Sequence, residues 1–92
     1  MPNIFQILGY SIYFWSNEGE PLEPVHFHIS KIKGQHTTKV WILSDYSLEL
    51  DNNNSDIKAN ELKKIMMILA PLAKDIVKEW EDFFGENASF KK

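Results

Sequence analysis

The hydrophobic pattern of the chain changes about halfway along its length. Up to about residue 50, apolar and polar residues alternate in short runs such as "GYSIYFWS", "VHFHISKI" and "HTTKVWIL". A period of two in runs rich in β-branched and aromatic residues predicts strands. The run "YSLEL" predicts one more short strand, and "KGQ" around Gly34 predicts a hairpin turn. We therefore expect three or four strands in this part of the chain.

The second half has the spacing of a helix. Between residues 56 and 84, apolar side chains recur every three or four positions and form one stripe. The members of the stripe are Leu62, Ile65, Met66, Leu69, Leu72, Ala73, Ile76, Trp80, Phe83 and Phe84. Pro71 interrupts the stripe and would remove one backbone hydrogen bond, so we expect a break or kink there. Ser55 or Asp56 is a candidate N-cap, and Gly85 is a candidate helix stop.

Together these patterns predict a single α+β domain over residues 1–92. A small antiparallel sheet of three to four strands, within the strand-rich part 3–50, would carry two C-terminal helices, or one kinked helix, on one face. The helical part, 56–84, would be followed by a flexible tail at 86–92. The chain shows neither a bilayer-spanning apolar run nor the basic start of a signal peptide. We therefore expect a cytoplasmic protein with no membrane partner.

Composition excludes several classes of site and partner. The chain has no cysteine, which excludes thiolate nucleophiles and cysteine-ligated metal sites. All ten basic residues are lysine, and the net charge is −3. Arginine is the preferred residue for reading phosphate and guanine, and a protein with no basic excess has little electrostatic attraction to nucleic acid. Residues 58–84 carry five lysines against five acids, which argues against a DNA-binding regulator built on the helices.

The candidate chemistry is concentrated in the stretch "EPVHFHIS". Residues two apart on a strand share a face, so the two histidines would lie opposite Phe27. If the next strand aligns its apolar side chains with Phe27, Trp41 joins the histidine face. Aromatic residues of the first strand would extend this face. The candidate binding residues are therefore His26, His28, Trp41, Tyr13 and Trp15.

Three interpretations of the two histidines remain open at this point. They are polar residues that stabilise the sheet, part of an interaction surface, or an acid–base or metal-binding pair. Metal sites usually need three or four ligands, and the nearest additional carboxylate is Glu23. With only two good ligands, His26 and His28, we predict no bound metal and no other cofactor. The same two histidines are the catalytic candidates if the protein is an enzyme.

A series of motifs in fixed order resembles a known family. "MPNIF", "GYSIYFWSNEG", "PVHFHI", "KVWIL" and "NELKKI" leading to "EWEDFFG" are similar to domain-of-unknown-function family 4160, a group of small bacterial proteins. The resemblance covers nearly the whole chain, and Pro-x-His-x-His is its most specific element. Val25 stands where the family usually has a second proline, and "MMILAPLA" replaces a segment that is usually polar.

The resemblance implies a function through a partner. Genes of this family often lie beside another small gene, in toxin–antitoxin-like or mobile-element contexts. We therefore expect a component that binds another protein, such as the one encoded next to it, and a homo-oligomer is compatible with this. The alternative is a His-dependent or metal-assisted hydrolase or nuclease that uses His26 and His28.

Overall fold

The computed structural model describes residues 3–15, 22–32 and 36–92. The predicted turn around Gly34 lies outside the described residues, as does most of the acidic loop that follows the first strands. Within the described part, a five-stranded antiparallel sheet is followed by one helical stretch. This confirms the α+β class.

The five strands lie side by side in the order in which they occur in the chain. They are β1 (Asn3–Ile7), β2 (Tyr10–Tyr13), β3 (His26–Ser30), β4 (Thr38–Ile42) and β5 (Leu48–Asn53). Each strand is antiparallel to its neighbours, and β3 is the middle strand of the sheet. The predicted number of three to four strands is therefore wrong.

The strand that the sequence pattern did not predict is β1. It is joined to β2 by Leu8 and Gly9, whose φ angles are both positive, 51° and 84°. A two-residue hairpin turn of this kind usually contains Asn-Gly or Asp-Gly, because few side chains tolerate positive φ. Leucine at the first position gives no such signal, and the hairpin was missed for that reason.

The helical stretch is continuous but changes its geometry at Pro71. It consists of α1 (Ala59–Leu69), a 3-10 turn (Ala70–Leu72) and α2 (Ala73–Phe84). Proline tolerates the tighter turn because that turn does not need its missing N–H. Of the two predicted alternatives, the structure therefore has the single kinked helix.

The two ends of the helical stretch differ in how well the sequence predicts them. Gly85, with φ 70°, donates its N–H to the carbonyl of Glu81 and ends α2 as predicted. The predicted start at residue 56 is wrong, because Asp56 adopts a positive φ of 55° and the cap residue is Lys58, without a side-chain hydrogen bond. None of the helices that the structure describes has both the length and the apolar character needed to cross a membrane.

The main core lies between the helical stretch and one face of the sheet. Trp80 of α2 is 1% exposed and packs against Phe14, with ring centroids 5.4 Å apart, and against Phe84 at 4.3 Å. Other buried members of this core are Ile12, Val25, Phe27, Ile29, Val40, Ile42, Ile65, Leu69 and Ile76. The strand and helix stripes that the sequence predicts thus meet in one cluster.

The last residues of the chain pack along the sheet. The amide of Val25 donates to the carbonyl of Ser89 at 2.9 Å, and the amide of Ser44 donates to that of Lys92 at 2.8 Å. The ring of Phe90 contacts that of Tyr46, with centroids 6.0 Å apart. The segment predicted as a flexible tail is therefore held by backbone hydrogen bonds, a feature for which a short irregular stretch gives no periodic signal.

Truncation of Trp80 tests the main core. Removing a buried tryptophan costs about 3–5 kcal/mol, and a small domain has only about 5–15 kcal/mol in total. We expect Trp80→Ala to leave the protein unfolded or marginally stable in urea denaturation. Met67→Ala, on the same helical stretch but 67% exposed, should change stability by less than about 0.5 kcal/mol. Equal losses in the two variants would contradict the packing described here.

Candidate functional site

The register between β3 and β4 places the candidate residues on one face. His26 pairs with Trp41, Phe27 with Val40, and His28 with Lys39. Since paired residues of neighbouring strands share a face, the histidines and Trp41 lie opposite the Phe27 face. The predicted hairpin register is confirmed.

All five predicted binding residues meet on this face. The rings of His26 and His28 lie 5.1 Å apart, and Trp41 lies 5.2 Å from His26. Tyr13 stacks on His28 at 5.8 Å, and Trp15 meets His28 edge-on at 5.0 Å. We call these five residues the aromatic–histidine cluster.

Most of the aromatic–histidine cluster is buried. Tyr13 is fully buried, His26 and His28 are 1% and 3% exposed, and Trp41 is 8% exposed. Trp15 is the half-buried member. An antiparallel sheet commonly leaves one face in water. The cluster instead forms a second packed layer, so β3 is buried on both faces.

His26 lies at the contact between this layer and the main core. Its Nδ1 hydrogen-bonds the carbonyl oxygen of Pro24 at 2.8 Å. Its ring contacts Trp41 at 5.2 Å and also Trp80 of α2 at 5.1 Å. The contact with Trp80 had no signal in the sequence, because strand alternation assigns the two residues to opposite sides. A substrate could reach His26 only if these rings moved.

His28 contacts three members of the cluster and also lines a depression in the surface. Its Nδ1 lies 3.2 Å from Oγ1 of Thr37. The depression has a volume of about 450 Å³ and is lined by Trp15, Glu23, His28, Thr37, Lys39, Asn52 and Asn54. Of the five predicted binding residues, Trp15 and His28 therefore line this depression.

An ion pair forms part of the wall of the depression. The ammonium group of Lys39 lies 3.1 Å from Oε1 of Glu23 and 4.3 Å from the centre of the Trp41 ring. Glu23, the weak metal-ligand candidate, thus already has a cationic partner. Among residues 3–15, 22–32 and 36–92, no three histidine or acidic side chains are grouped as a metal ion would require. That no metal binds stays a prediction.

Trp41 fixes a carboxylate on the neighbouring strand. Its Nε1 donates a hydrogen bond to Oδ1 of Asp51 at 3.0 Å. This bond, more than any other contact, lowers the pKa of Asp51. A hydrogen bond from Asn52 and the charges of Lys39 and Lys91 lower this pKa further, whereas burial raises it. Because the bond favours the charged form of the acid, the indole and the carboxylate hold each other in place.

The sequence reasoning missed the polar residues that β5 and its turn bring to the site. Asn52 pairs with Lys39 across β4 and β5, at a shift in register between Lys39 and Val40. Asn54 follows in the turn, where its backbone N–H donates to Oδ1 of Asn52. A register irregularity leaves no mark in the hydrophobic pattern, so the "DNNNSD" segment gave no indication of this role.

A second depression, of about 410 Å³, lies at the opposite end of β3. Its lining residues are Tyr10, Ser30, Lys31, Ile32, His36, Ser55, Asp56, Lys58 and Glu61. The Tyr10 hydroxyl donates to Oε2 of Glu61 at 3.3 Å, and burial together with this carboxylate raises the pKa of Tyr10. This contact joins β2 to the first turn of α1.

Comparison with known proteins adds one finding. A family model described as "Domain of unknown function (DUF4160)" matches residues 9–81. The chain belongs to this family. The DUF4160 match includes the whole aromatic–histidine cluster and Trp80, and it begins after β1. Searches of curated proteins and of solved structures found no match.

Alanine substitution of each histidine in turn shows which of the two contributes more to the stability of the fold. His26→Ala removes a buried ring and its hydrogen bond, so we expect it to cost about 2 kcal/mol or more. His28→Ala removes a ring that packs against Tyr13, Trp15 and His26 but lines the depression, and we expect a smaller loss. Urea denaturation of both variants gives the comparison. A larger loss for His28→Ala would contradict the central position assigned to His26.

The pKa of Asp51 reports whether the contact with Trp41 forms. Trp41→Phe removes the N–H donor, so the carboxyl pKa should rise toward its ordinary value for an aspartate. Carboxyl chemical shifts followed by NMR during a pH titration give the measurement. Asp45, whose pKa is lowered by Ser47 instead, is the internal control and should not change. An unchanged Asp51 titration would show that the hydrogen bond is absent.

Proposed function

We propose that this DUF4160 protein is a cytoplasmic, protein-binding component of a two-gene bacterial module, of the toxin–antitoxin or mobile-element kind. The proposed binding site is the depression of about 450 Å³ that Trp15 and His28 help to line, and this depression is the main observation in support of the proposal. The module itself is proposed from the family context.

The chemistry of the depression suits a segment of another protein. Trp15 offers a half-buried indole, and tryptophan is among the residues that most often dominate protein–protein binding energy. Asn52, Asn54 and Thr37 supply amide and hydroxyl groups that can donate and accept hydrogen bonds. Such groups match the N–H and C=O groups of a bound backbone, and the indole matches an apolar side chain.

The packing beneath the depression supports the same proposal. Trp15 and His28 touch at 5.0 Å, and His28 in turn rests on Tyr13 and His26. A contact residue that is already held by buried neighbours loses little conformational entropy when a partner binds. The buried cluster therefore supports the rim residues that would meet the partner.

The alternative function is hydrolysis, of nucleic acid or of another substrate, through the histidines. A catalytic histidine must come within hydrogen-bond reach of the reacting atoms. His26 is enclosed by Trp41 and Trp80, whereas His28 lines a depression that a substrate could enter. This arrangement favours binding over two-histidine catalysis.

Binding to the product of the neighbouring gene tests the proposal. We expect the two proteins to form a complex when coexpressed, and Trp15→Ala to weaken it by at least about 2 kcal/mol, or about 30-fold, as hot-spot tryptophans do. Affinity is measured by calorimetry with the purified proteins. Tyr46→Ala removes another partly exposed aromatic ring, in the turn before β5, and should leave binding intact.

Two outcomes would count against the proposal in different ways. Full binding by a folded Trp15→Ala variant would overturn the assignment of the site. Failure of the two wild-type proteins to associate would overturn the proposed function. Circular dichroism of each variant shows whether it is folded.

A further inference from the structure

The charged residues of the helical stretch are divided between its two halves. The first half, from 58 to 74, carries four lysines and one acid, and the second, from 75 to 86, carries five acids and one lysine. The lysines of the first half are Lys58, Lys63, Lys64 and Lys74, and the acids of the second are Asp75, Glu79, Glu81, Asp82 and Glu86. Two acids of the helical stretch accept hydrogen bonds within the chain. Glu61 accepts one from the Tyr10 hydroxyl, and Glu81 accepts one from the backbone N–H of Ala88.

This division is opposite to the one that stabilises a helix by itself. The helix dipole favours acids near the N-terminus and bases near the C-terminus. Here the last turn of α2 contains no basic residue, and lysines dominate the first half of the stretch. The charge pattern therefore does not arise from helix stability.

An exposed apolar patch lies near the middle of the helical stretch. Met67 is 67% exposed and Ile68 is 43% exposed. Pro71 is exposed as well and lies close to the middle of the stretch from 59 to 84. Neighbouring apolar side chains left in water on one face are typical of an interaction site.

We infer that this face binds a second copy of the chain, with the two helical stretches antiparallel. In a two-fold arrangement with Pro71 near the axis, the lysine half of each copy faces the acidic half of the other. Lys64 of one copy then lies opposite Glu79 of the second, and the Pro71 side chains of the two copies lie at the centre. Lys64 and Glu79 are both exposed. Such an interface is isologous and closes as a dimer.

The charge pattern of this helical face favours a second copy of the chain over other binding partners. A uniformly acidic partner would meet repulsion from the acids of α2, and a uniformly basic partner would meet repulsion from the lysines of α1. A surface with the same two halves in reverse order matches both, and an antiparallel copy provides it. The inference does not depend on the proposed function, because the depression beside Trp15 lies on the opposite side of the sheet from the helices.

Charge reversal on the full-length protein tests the arrangement. Wild-type protein should show a concentration-dependent monomer–dimer equilibrium in analytical ultracentrifugation, weakened by salt. Lys64→Glu alone and Glu79→Lys alone should each raise the dissociation constant about tenfold, because two symmetric pairs become repulsive. Mixing the two variants should restore association, since every contact in the mixed dimer is again between opposite charges.

A substitution in the apolar patch gives an independent measurement. Ile68→Asp should abolish the dimer, whereas Ile32→Asp, at a residue that is 63% exposed and lies outside the helices, should leave it unchanged. Wild-type protein that stays monomeric into the millimolar range would overturn the inference. So would a dimer that persists in Ile68→Asp, or charge variants that fail to rescue each other when mixed.

Discussion

The imidazole of His26 touches an indole from each of the two layers of side chains that enclose the sheet. Trp41 contacts it from the neighbouring strand β4, and Trp80 contacts it from α2. Aromatic contacts of this kind contribute about 0.5–1.5 kcal/mol each beyond the area they bury. Their importance here comes from position, because β3 is the middle strand and all five of its residues are buried. Packing on the second face therefore supports the same strand that carries the main core.

The proposed binding surface depends on this packing. Trp15, which is half-buried, and the buried His28 line the depression, and the remaining members of the aromatic–histidine cluster pack beneath them. The histidines of the Pro-x-His-x-His motif thus have different roles, although they share a strand and a face. His26 fixes the position of the layer. His28 packs between His26 and Trp15 at the depression. A two-residue spacing alone cannot separate these roles.

The sequence predicted the features that depend on regular periodicity. The β3–β4 register followed from the alternation of Phe27, Val40 and their neighbours, and the helix stop followed from Gly85. The features it missed depend on contacts between segments that are distant in the chain. The packing of Phe90 against Tyr46 and the contact of His26 with Trp80 are examples. The exception is the Leu8–Gly9 turn, which is local but was missed because leucine gives no turn signal. The family resemblance also followed from motif order, and the match over residues 9–81 confirms it.

Native-state hydrogen exchange of the β3 amides tests most directly whether this strand is the centre of the structure. Amides that exchange only when the whole molecule unfolds have a protection free energy equal to that of global unfolding. We predict this behaviour for Phe27, His28 and Ile29, and much faster exchange for β1 at the edge of the sheet. Exchange of the β3 amides at rates similar to those of β1, well below the limit set by global unfolding, would contradict the account.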